Sequence, residues 1–181
     1  SELEEVLKRV EETVRRLTKR LEESLEETRR IVDKLREDLR RSLERTERIV
    51  RELTEKLGGT DEARELLKRA NEHDKRVVDE IRKRLEEALE KDRRLVDEIR
   101  ERLKELLEEV KDVVDKIRSK GREEELREVE KKAEKLVREL EERLKRVIED
   151  SERLVTDLKE KLERVLETSK KLLADLEERA R

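Results

Sequence analysis

Residues 21–53 read LEESLEETRRIVDKLREDLRRSLERTERIVREL, and this stretch repeats its apolar pattern after 18 residues. The repeating positions are Leu21, Leu25, Thr28, Ile31, Val32 and Leu35, followed by Leu39, Leu43, Thr46, Ile49, Val50 and Leu53. Eighteen residues make roughly five turns of an α-helix, so the apolar stripe returns to the same side without drifting. The pattern predicts long, nearly straight helices, since a strict seven-residue repeat would require a left-handed supercoil.

Three glycines divide the chain into helical segments. They are Gly58, Gly59 and Gly121, and the sequence contains no proline. Because glycine commonly follows the last residue of a helix, we predict one helix before each of two turns and a third helix after the second turn. Connections this short require neighbouring helices to run antiparallel. The three helices are predicted at about residues 2–57, 61–119 and 122–180.

The predicted fold class is all-α, an up-down-up antiparallel bundle of three long, nearly straight helices, with residues 1–181 as a single domain. On a helical wheel the apolar residues of each helix fill one arc of about 120°. A closed three-helix bundle needs one such face on each helix, whereas a helix inside a larger assembly needs a second face. Leu66 and Ala174 are among the few apolar residues outside the arc, and they are too scattered to form a patch.

Composition excludes several classes of partner. The chain is 58% charged and 31% hydrophobic and has no aromatic residue, methionine or cysteine. The 51 basic and 54 acidic residues are interleaved, so no basic stripe is available for nucleic acid. No stretch approaches the roughly 18 consecutive apolar residues of a membrane span, and no signal peptide is recognisable. We therefore expect a soluble protein that binds neither nucleic acid nor membrane, in a compartment that the sequence does not reveal.

Polar residues stand at the centre of the apolar stripe on all three predicted helices. Antiparallel packing about turns near residues 60 and 121 brings these positions to three shared levels. The first level combines Thr46, Asp74 and Ser169; the second combines Thr28, Asp92 and Ser151; the third combines Val10, Val110 and Ala133. Ser24 and Ser42 lie on the same face of the first helix, and Asn71 joins the Asp74 level from the second.

Each buried aspartate is predicted to anchor a hydrogen-bond network. An ionised carboxylate only accepts hydrogen bonds, at about four lone-pair sites, while each Ser or Thr hydroxyl supplies one donor. A buried carboxylate without partners would cost several kcal/mol or take up a proton. We expect Ser24, Thr28 and Ser151 to donate to Asp92. We expect Ser42, Thr46, Ser169 and Asn71 to donate to Asp74.

These clusters do not resemble active sites. A metal centre needs several converging His, Cys or carboxylate ligands, and each level offers one Asp. A nucleophilic hydroxyl needs an adjacent base and an oxyanion hole, for which an all-helical interior offers no obvious donors. His73, the only histidine, is predicted at the edge of the core near Thr168, without a role as a pH switch. We predict no catalytic residue, no cofactor, no metal and no small-molecule ligand.

The whole chain resembles de novo designed helical bundles with modular buried hydrogen-bond networks. The resemblance rests on the Glu/Lys/Arg surface, the Leu/Ile/Val core, the minimal glycine turns and the near-copy repeats. It implies a scaffold, a switchable cage or a component that pairs with partner helices. Our leading hypothesis is a monomeric structural scaffold without natural biochemical activity, whose networks set helix register and specificity. The alternative is a component of a designed oligomer or heteromer that pairs with another helix or chain through the same polar layers, and an enzyme is a distant third.

Overall fold

Three long α-helices account for nearly all of the described chain. The structure, a computed structural model, describes residues 1–56 and 61–179. The helices are α1 (Glu2–Lys56), α2 (Asp61–Arg118) and α3 (Glu123–Arg179), and no strand occurs among the described residues. Gly58, Gly59 and the predicted helix ends at residues 57 and 180 lie outside the described residues. The prediction of an all-α fold with three long helices is confirmed.

Local interactions define the helix ends that the structure describes. The Glu4 amide donates to Ser1 Oγ at 3.3 Å, so a hydroxyl satisfies one of the free N–H groups at the start of α1. Gly121 separates α2 from α3 and has a φ of 79°. L side chains rarely adopt this left-handed conformation, and glycine adopts it without strain. Acidic side chains occupy the first turn of every helix, where they interact favourably with the helix dipole.

The chain divides into two compact units, each built from segments of all three helices. Unit 1 comprises Ser1–Glu27 and Glu90–Ser151, and unit 2 comprises Thr28–Leu89 and Glu152–Arg181. Each unit has its own apolar clusters, to which every helix contributes. The 18-residue repeat explains this arrangement, because each helix presents the same apolar face in both units.

Unit 1 contains two apolar clusters. The Val110 cluster consists of Leu3, Val6, Val10, Leu106, Val110, Val114, Ile117, Leu126 and Ala133. The Leu103 cluster consists of Leu17, Leu21, Val96, Ile99, Leu103, Val137, Leu140 and Leu144. From the first cluster to the second, residue numbers rise along α1 and α3 and fall along α2. Within unit 1, α2 is therefore antiparallel to both other helices.

Unit 2 repeats the same arrangement. The Leu85 cluster consists of Val32, Leu35, Leu39, Val78, Ile81, Leu85, Leu89, Val155, Leu158 and Leu162. The Leu67 cluster consists of Leu67, Ala70 and Leu173, with Ile49, Val50 and Leu53 packed against it. Residue numbers again rise along α1 and α3 and fall along α2 between the clusters. The up-down-up direction of the helices is the same in both units.

The surface of the described residues is covered by charged side chains. Within α1, Arg40 donates to the Glu37 carboxylate and also pairs with Glu44. Ion pairs also join different helices within a unit, as between Arg20 and Glu98 in unit 1, whose closest atoms are 3.1 Å apart. Leu66 is the one large apolar side chain that is exposed among the described residues. None of the described helices has a stretch that is apolar and long enough to span a membrane.

Candidate functional site: two buried carboxylate networks

Asp74 is the centre of a buried hydrogen-bond network in unit 2. Its side chain lies on α2 and is 6% exposed. Ser42 Oγ and Thr46 Oγ1, both on α1, donate to Asp74 Oδ1 at 3.1 and 2.9 Å. Thr46 Oγ1 is also 2.8 Å from Oδ2, and Ser169 Oγ on α3 donates to that oxygen at 2.5 Å. Both carboxylate oxygens are therefore occupied by hydroxyl groups from the two neighbouring helices.

Asp92 is the centre of a corresponding network in unit 1. Its side chain is 3% exposed. Ser24 Oγ on α1 donates to Asp92 Oδ1 at 2.9 Å, and Ser151 Oγ on α3 donates to Oδ2 at 3.2 Å. Ser151 is fully buried, while Ser24 is half-buried at the edge of the core. An aspartate on α2 again accepts hydrogen bonds from both α1 and α3.

The helical backbone explains how short hydroxyl side chains meet one carboxylate. Residues four positions apart lie on the same face of a helix, one turn apart. Ser42 and Thr46 have this spacing, so both hydroxyls reach the Asp74 carboxylate from the same helix. A Ser or Thr inside a helix can instead donate to the carbonyl one turn earlier, as Thr18 does to the Val14 oxygen at 2.7 Å. The buried aspartates draw the network hydroxyls away from this local bond.

Seven of the nine predicted network residues form these hydrogen bonds between aspartate oxygens and hydroxyl groups, and the remaining two predictions concern Thr28 and Asn71. Thr28 is buried, with 4% of its surface exposed, and belongs to unit 2, whereas Asp92 belongs to unit 1. Its contact with Asp92 stays a prediction. Asn71 is half-buried, and its Oδ1 is buried without a hydrogen-bond partner among the described residues.

Asn71 does not donate to Asp74 among the described residues, which differs from the predicted network. Three hydroxyl groups, those of Ser42, Thr46 and Ser169, already surround the two Asp74 oxygens, and Thr46 shares its single hydrogen between them. Asn71 instead lines a cavity of about 340 Å³ in unit 2, together with Leu67, Leu173 and three basic side chains.

The third predicted level contains no network. Val10, Val110 and Ala133 are all at most 3% exposed and belong to one apolar cluster in unit 1. Thr13 is a further buried polar residue, with 3% of its surface exposed, that was not predicted from the sequence. The repeat could have identified it, because Thr13 stands 18 residues before Ile31 at an apolar position of the stripe.

His73 lies at the edge of the core, as predicted, but its neighbour is not the predicted one. It is half-buried, and its Nε2 is 3.3 Å from Nη1 of Arg45 on α1. An Arg side chain has no acceptor, so the His73 ring nitrogen accepts this hydrogen bond. Thr168, the predicted neighbour, is exposed. Although His73 precedes Asp74 in the sequence, its ring is directed to Arg45 at the surface.

In both networks, the carboxylate oxygens accept hydrogen bonds from hydroxyl groups of the neighbouring helices. The Asp74 oxygens and the Ser169 and Thr46 hydroxyls are buried, so a substrate has no access to them in this conformation. Among the described residues, no group of three or more His, Cys, Asp or Glu side chains is arranged to hold a metal ion. Each aspartate accepts hydrogen bonds from hydroxyl groups on both α1 and α3.

Comparison with known proteins shows a likeness in fold. No known protein family matches the sequence, and no curated protein is significantly similar to it. Among solved structures, the chain is similar to a computationally designed three-helix bundle, with a TM-score of 0.60 and 18% sequence identity. The match covers 99% of this chain and 90% of the other. The prediction of a three-helix bundle with buried Asp/Ser/Thr hydrogen-bond networks is confirmed.

Proposed function

We propose that the protein is a designed structural scaffold, a monomeric bundle whose buried networks fix the register and the pairing of its helices. This proposal rests on one observation: both Asp74 oxygens accept hydrogen bonds from hydroxyl groups, which belong to α1 and α3. Displacement of either helix by one turn would leave the carboxylate and its donors unpaired inside the core. Breaking a buried, hydrogen-bonded charge in this way costs about 3–5 kcal/mol, which disfavours alternative pairings.

The test of this role compares the chain with a network-free variant. In that variant Asp74 and Asp92 become Leu, the network serines become Ala and the network threonines become Val. We expect its thermal stability to equal or exceed that of the parent, because apolar residues of similar volume replace a satisfied polar set. We also expect more than one species in its NMR spectrum and in its measured mass. A single, uniquely folded monomer with well-dispersed resonances would contradict the proposed role in specificity.

The same networks support a monomer over an assembly with a second chain. In unit 2, both oxygens of the Asp74 carboxylate take hydrogen bonds from the chain's own helices, and the side chain is buried, so it is not presented to a partner. Sedimentation equilibrium over a wide concentration range distinguishes the two hypotheses. A mass of 22.0 kDa at every concentration agrees with the monomer, and a mass that grows with concentration favours the alternative of an interaction component.

We further propose that residues 1–181 form a single domain. The support is the continuity of the helices, since α1 includes Glu27 and Thr28, α2 includes Leu89 and Glu90, and α3 includes Ser151 and Glu152. Calorimetry should then give one unfolding transition whose van't Hoff and calorimetric enthalpies agree. Two separate transitions would contradict a single cooperative domain.

Catalysis has no part in the proposed function. The buried hydroxyls donate to carboxylates rather than to a base that is open to substrate, which supports a purely structural role. Generic ester, phosphate and glycoside substrates should therefore be hydrolysed at the rate of buffer alone. A rate above that background that disappears with Asp74→Leu would count against the scaffold.

A further inference from the structure

A groove between α1 and α2 in unit 2 combines an apolar floor with a basic rim. The groove has a volume of about 600 Å³, within the range of cavities that take small ligands. Leu35 and Ile81 are buried in its floor beside the half-buried Val77. Four arginines line it, namely Arg41, Arg45, Arg76 and Arg84, and the lining contains two acidic residues, Asp38 and Glu80.

Two of these arginines are not neutralised by the protein. Arg41 pairs with Glu37 at 3.6 Å, and Arg84 pairs with Glu80 at 3.3 Å. Arg45 donates instead to the ring nitrogen of His73, and Arg76 has no carboxylate within ion-pair distance among the described residues. Guanidinium groups without a carboxylate partner are the usual binding groups for oxyanions, because their planar N–H groups match two oxygens at once.

At the equivalent positions, unit 1 has glutamate where unit 2 has arginine, and lysine where unit 2 has histidine. One 18-residue repeat relates Arg41 to Glu23, Arg45 to Glu27 and His73 to Lys91. In unit 1, Lys91 Nζ is 3.3 Å from Glu27 Oε1, so an ion pair occupies the place of the Arg45–His73 contact. The fold therefore does not require the excess positive charge of unit 2, because the equivalent positions of unit 1 hold a neutral ion pair.

Unit 1 also has a groove between α1 and α2, and its charges are balanced. This groove has a volume of about 520 Å³, and its lining contains three arginines and three glutamates. Arg20 pairs with Glu98 at 3.1 Å, and Arg102 pairs with Glu105 at 3.3 Å. The two grooves are similar in size, but arginines outnumber acidic residues by four to two in the unit 2 lining and equal them in the unit 1 lining, so the chain contains its own reference site.

We propose that the unit 2 groove binds a small amphipathic oxyanion, meaning an alkyl chain with a sulfate, phosphate or carboxylate head. The head group lies between Arg45 and Arg76, and the alkyl chain covers the floor formed by Leu35, Val77 and Ile81. The apolar floor contributes affinity for the chain, and the arginines select the charge of the head group. This site is independent of the scaffold role and goes beyond the ligand-free protein that the sequence predicts.

The experiment titrates the full chain with decyl sulfate below its micelle concentration, using calorimetry and amide NMR. We expect one bound molecule, with shifts at residues of the unit 2 groove and unchanged helicity. Decanol and decyltrimethylammonium have the same chain length without the negative charge, and each should bind at least about tenfold more weakly. Equal binding of all three compounds, or no binding of decyl sulfate, would overturn the proposal.

Matched variants separate the groove from the overall charge of the protein. Arg41→Glu, Arg45→Glu and His73→Lys together give unit 2 the residues of unit 1, which fold there with an ion pair. This variant should bind decyl sulfate about tenfold more weakly. Arg138→Glu with Lys145→Gln lowers the net charge by the same amount on exposed positions of α3 and should leave the affinity unchanged. An equal loss in both variants would show attraction by net charge alone and refute a site.

Discussion

The Asp74 network and the Val110 cluster show two solutions to the same packing position. Asp74, Thr46 and Ser169 stand two 18-residue repeats away from Val110, Val10 and Ala133, and all six residues are buried. In unit 2 the position is filled by a hydrogen-bonded carboxylate, and in unit 1 by aliphatic side chains. The comparison teaches that the repeat determines which residues are buried. The side chains that face a buried position from the other two helices determine whether a polar residue is tolerated there.

The largest expected effect comes from placing an aspartate where its partners are missing. Val110→Asp alone should lower the free energy of unfolding by about 3–5 kcal/mol, because a buried carboxylate would face only apolar side chains. Adding Val6→Ser, Val10→Thr and Ala133→Ser copies Ser42, Thr46 and Ser169 and should restore most of the loss. Chemical denaturation measures both values. If the fourfold variant stays as unstable as Val110→Asp, the two levels are not equivalent.

The converse change removes the aspartate and leaves its partners. Asp74→Leu should cost about 1–3 kcal/mol, since the Ser42, Thr46 and Ser169 hydroxyls lose their acceptor inside the core. Replacing all four residues together by aliphatic side chains should be neutral or stabilising. Thermal and denaturant unfolding of both variants provide the measurement. A fourfold variant that is less stable than Asp74→Leu would mean that the network itself contributes net stability.

A smaller change in the free energy of unfolding is expected at Thr13, a buried polar residue in unit 1. Its side chain is buried and lines the unit 1 groove. Thr13→Val keeps the shape and should raise the free energy of unfolding by about 0.5–1 kcal/mol, because it removes the cost of burying a hydroxyl. Thr46→Val provides the control and should have the opposite sign, since Thr46 donates to Asp74. Destabilisation by Thr13→Val would indicate a bound water at that hydroxyl.

The smallest expected effect concerns a carboxylate at the surface, where the partners are cations rather than hydroxyls. Hydrogen bonds from Arg40 lower the pKa of Glu37 below its ordinary value of 4.5, and the charges of Arg40 and Arg41 act in the same direction. A lowered pKa stabilises the folded state above the unfolded pKa, and this contribution is lost as the pH falls through the folded pKa. Arg40→Gln should raise the pKa of Glu37 in an NMR titration and weaken this pH dependence. An unchanged pKa would show that the Arg40 contact does not persist in solution.

The sequence was sufficient to predict most of the core because the relevant signals are periodic. The antiparallel register paired Asp74 with Thr46 and Ser169, and the structure joins them by hydrogen bonds. Asn71 was assigned to the same network because its position on the helix does not show whether the side chain meets the aspartate or lines a cavity. The contact between Arg45 and His73 was not predictable, since long exposed side chains have many rotamers of similar energy. The straightness of the helices remains a prediction from the 18-residue repeat.

The conformation of Gly121 determines which stereoisomer of an amino acid fits the backbone at that turn. Its φ of 79° is strained for any L-amino acid, yet a Cβ added there would meet no atom within 4 Å. The obstacle to a side chain is therefore chirality rather than space. A mirror-image residue such as D-alanine fits this backbone naturally and restricts the unfolded chain more than glycine does, by about 0.4–1 kcal/mol. Chemical synthesis thus offers a reinforcement of the second turn that genetic substitution does not.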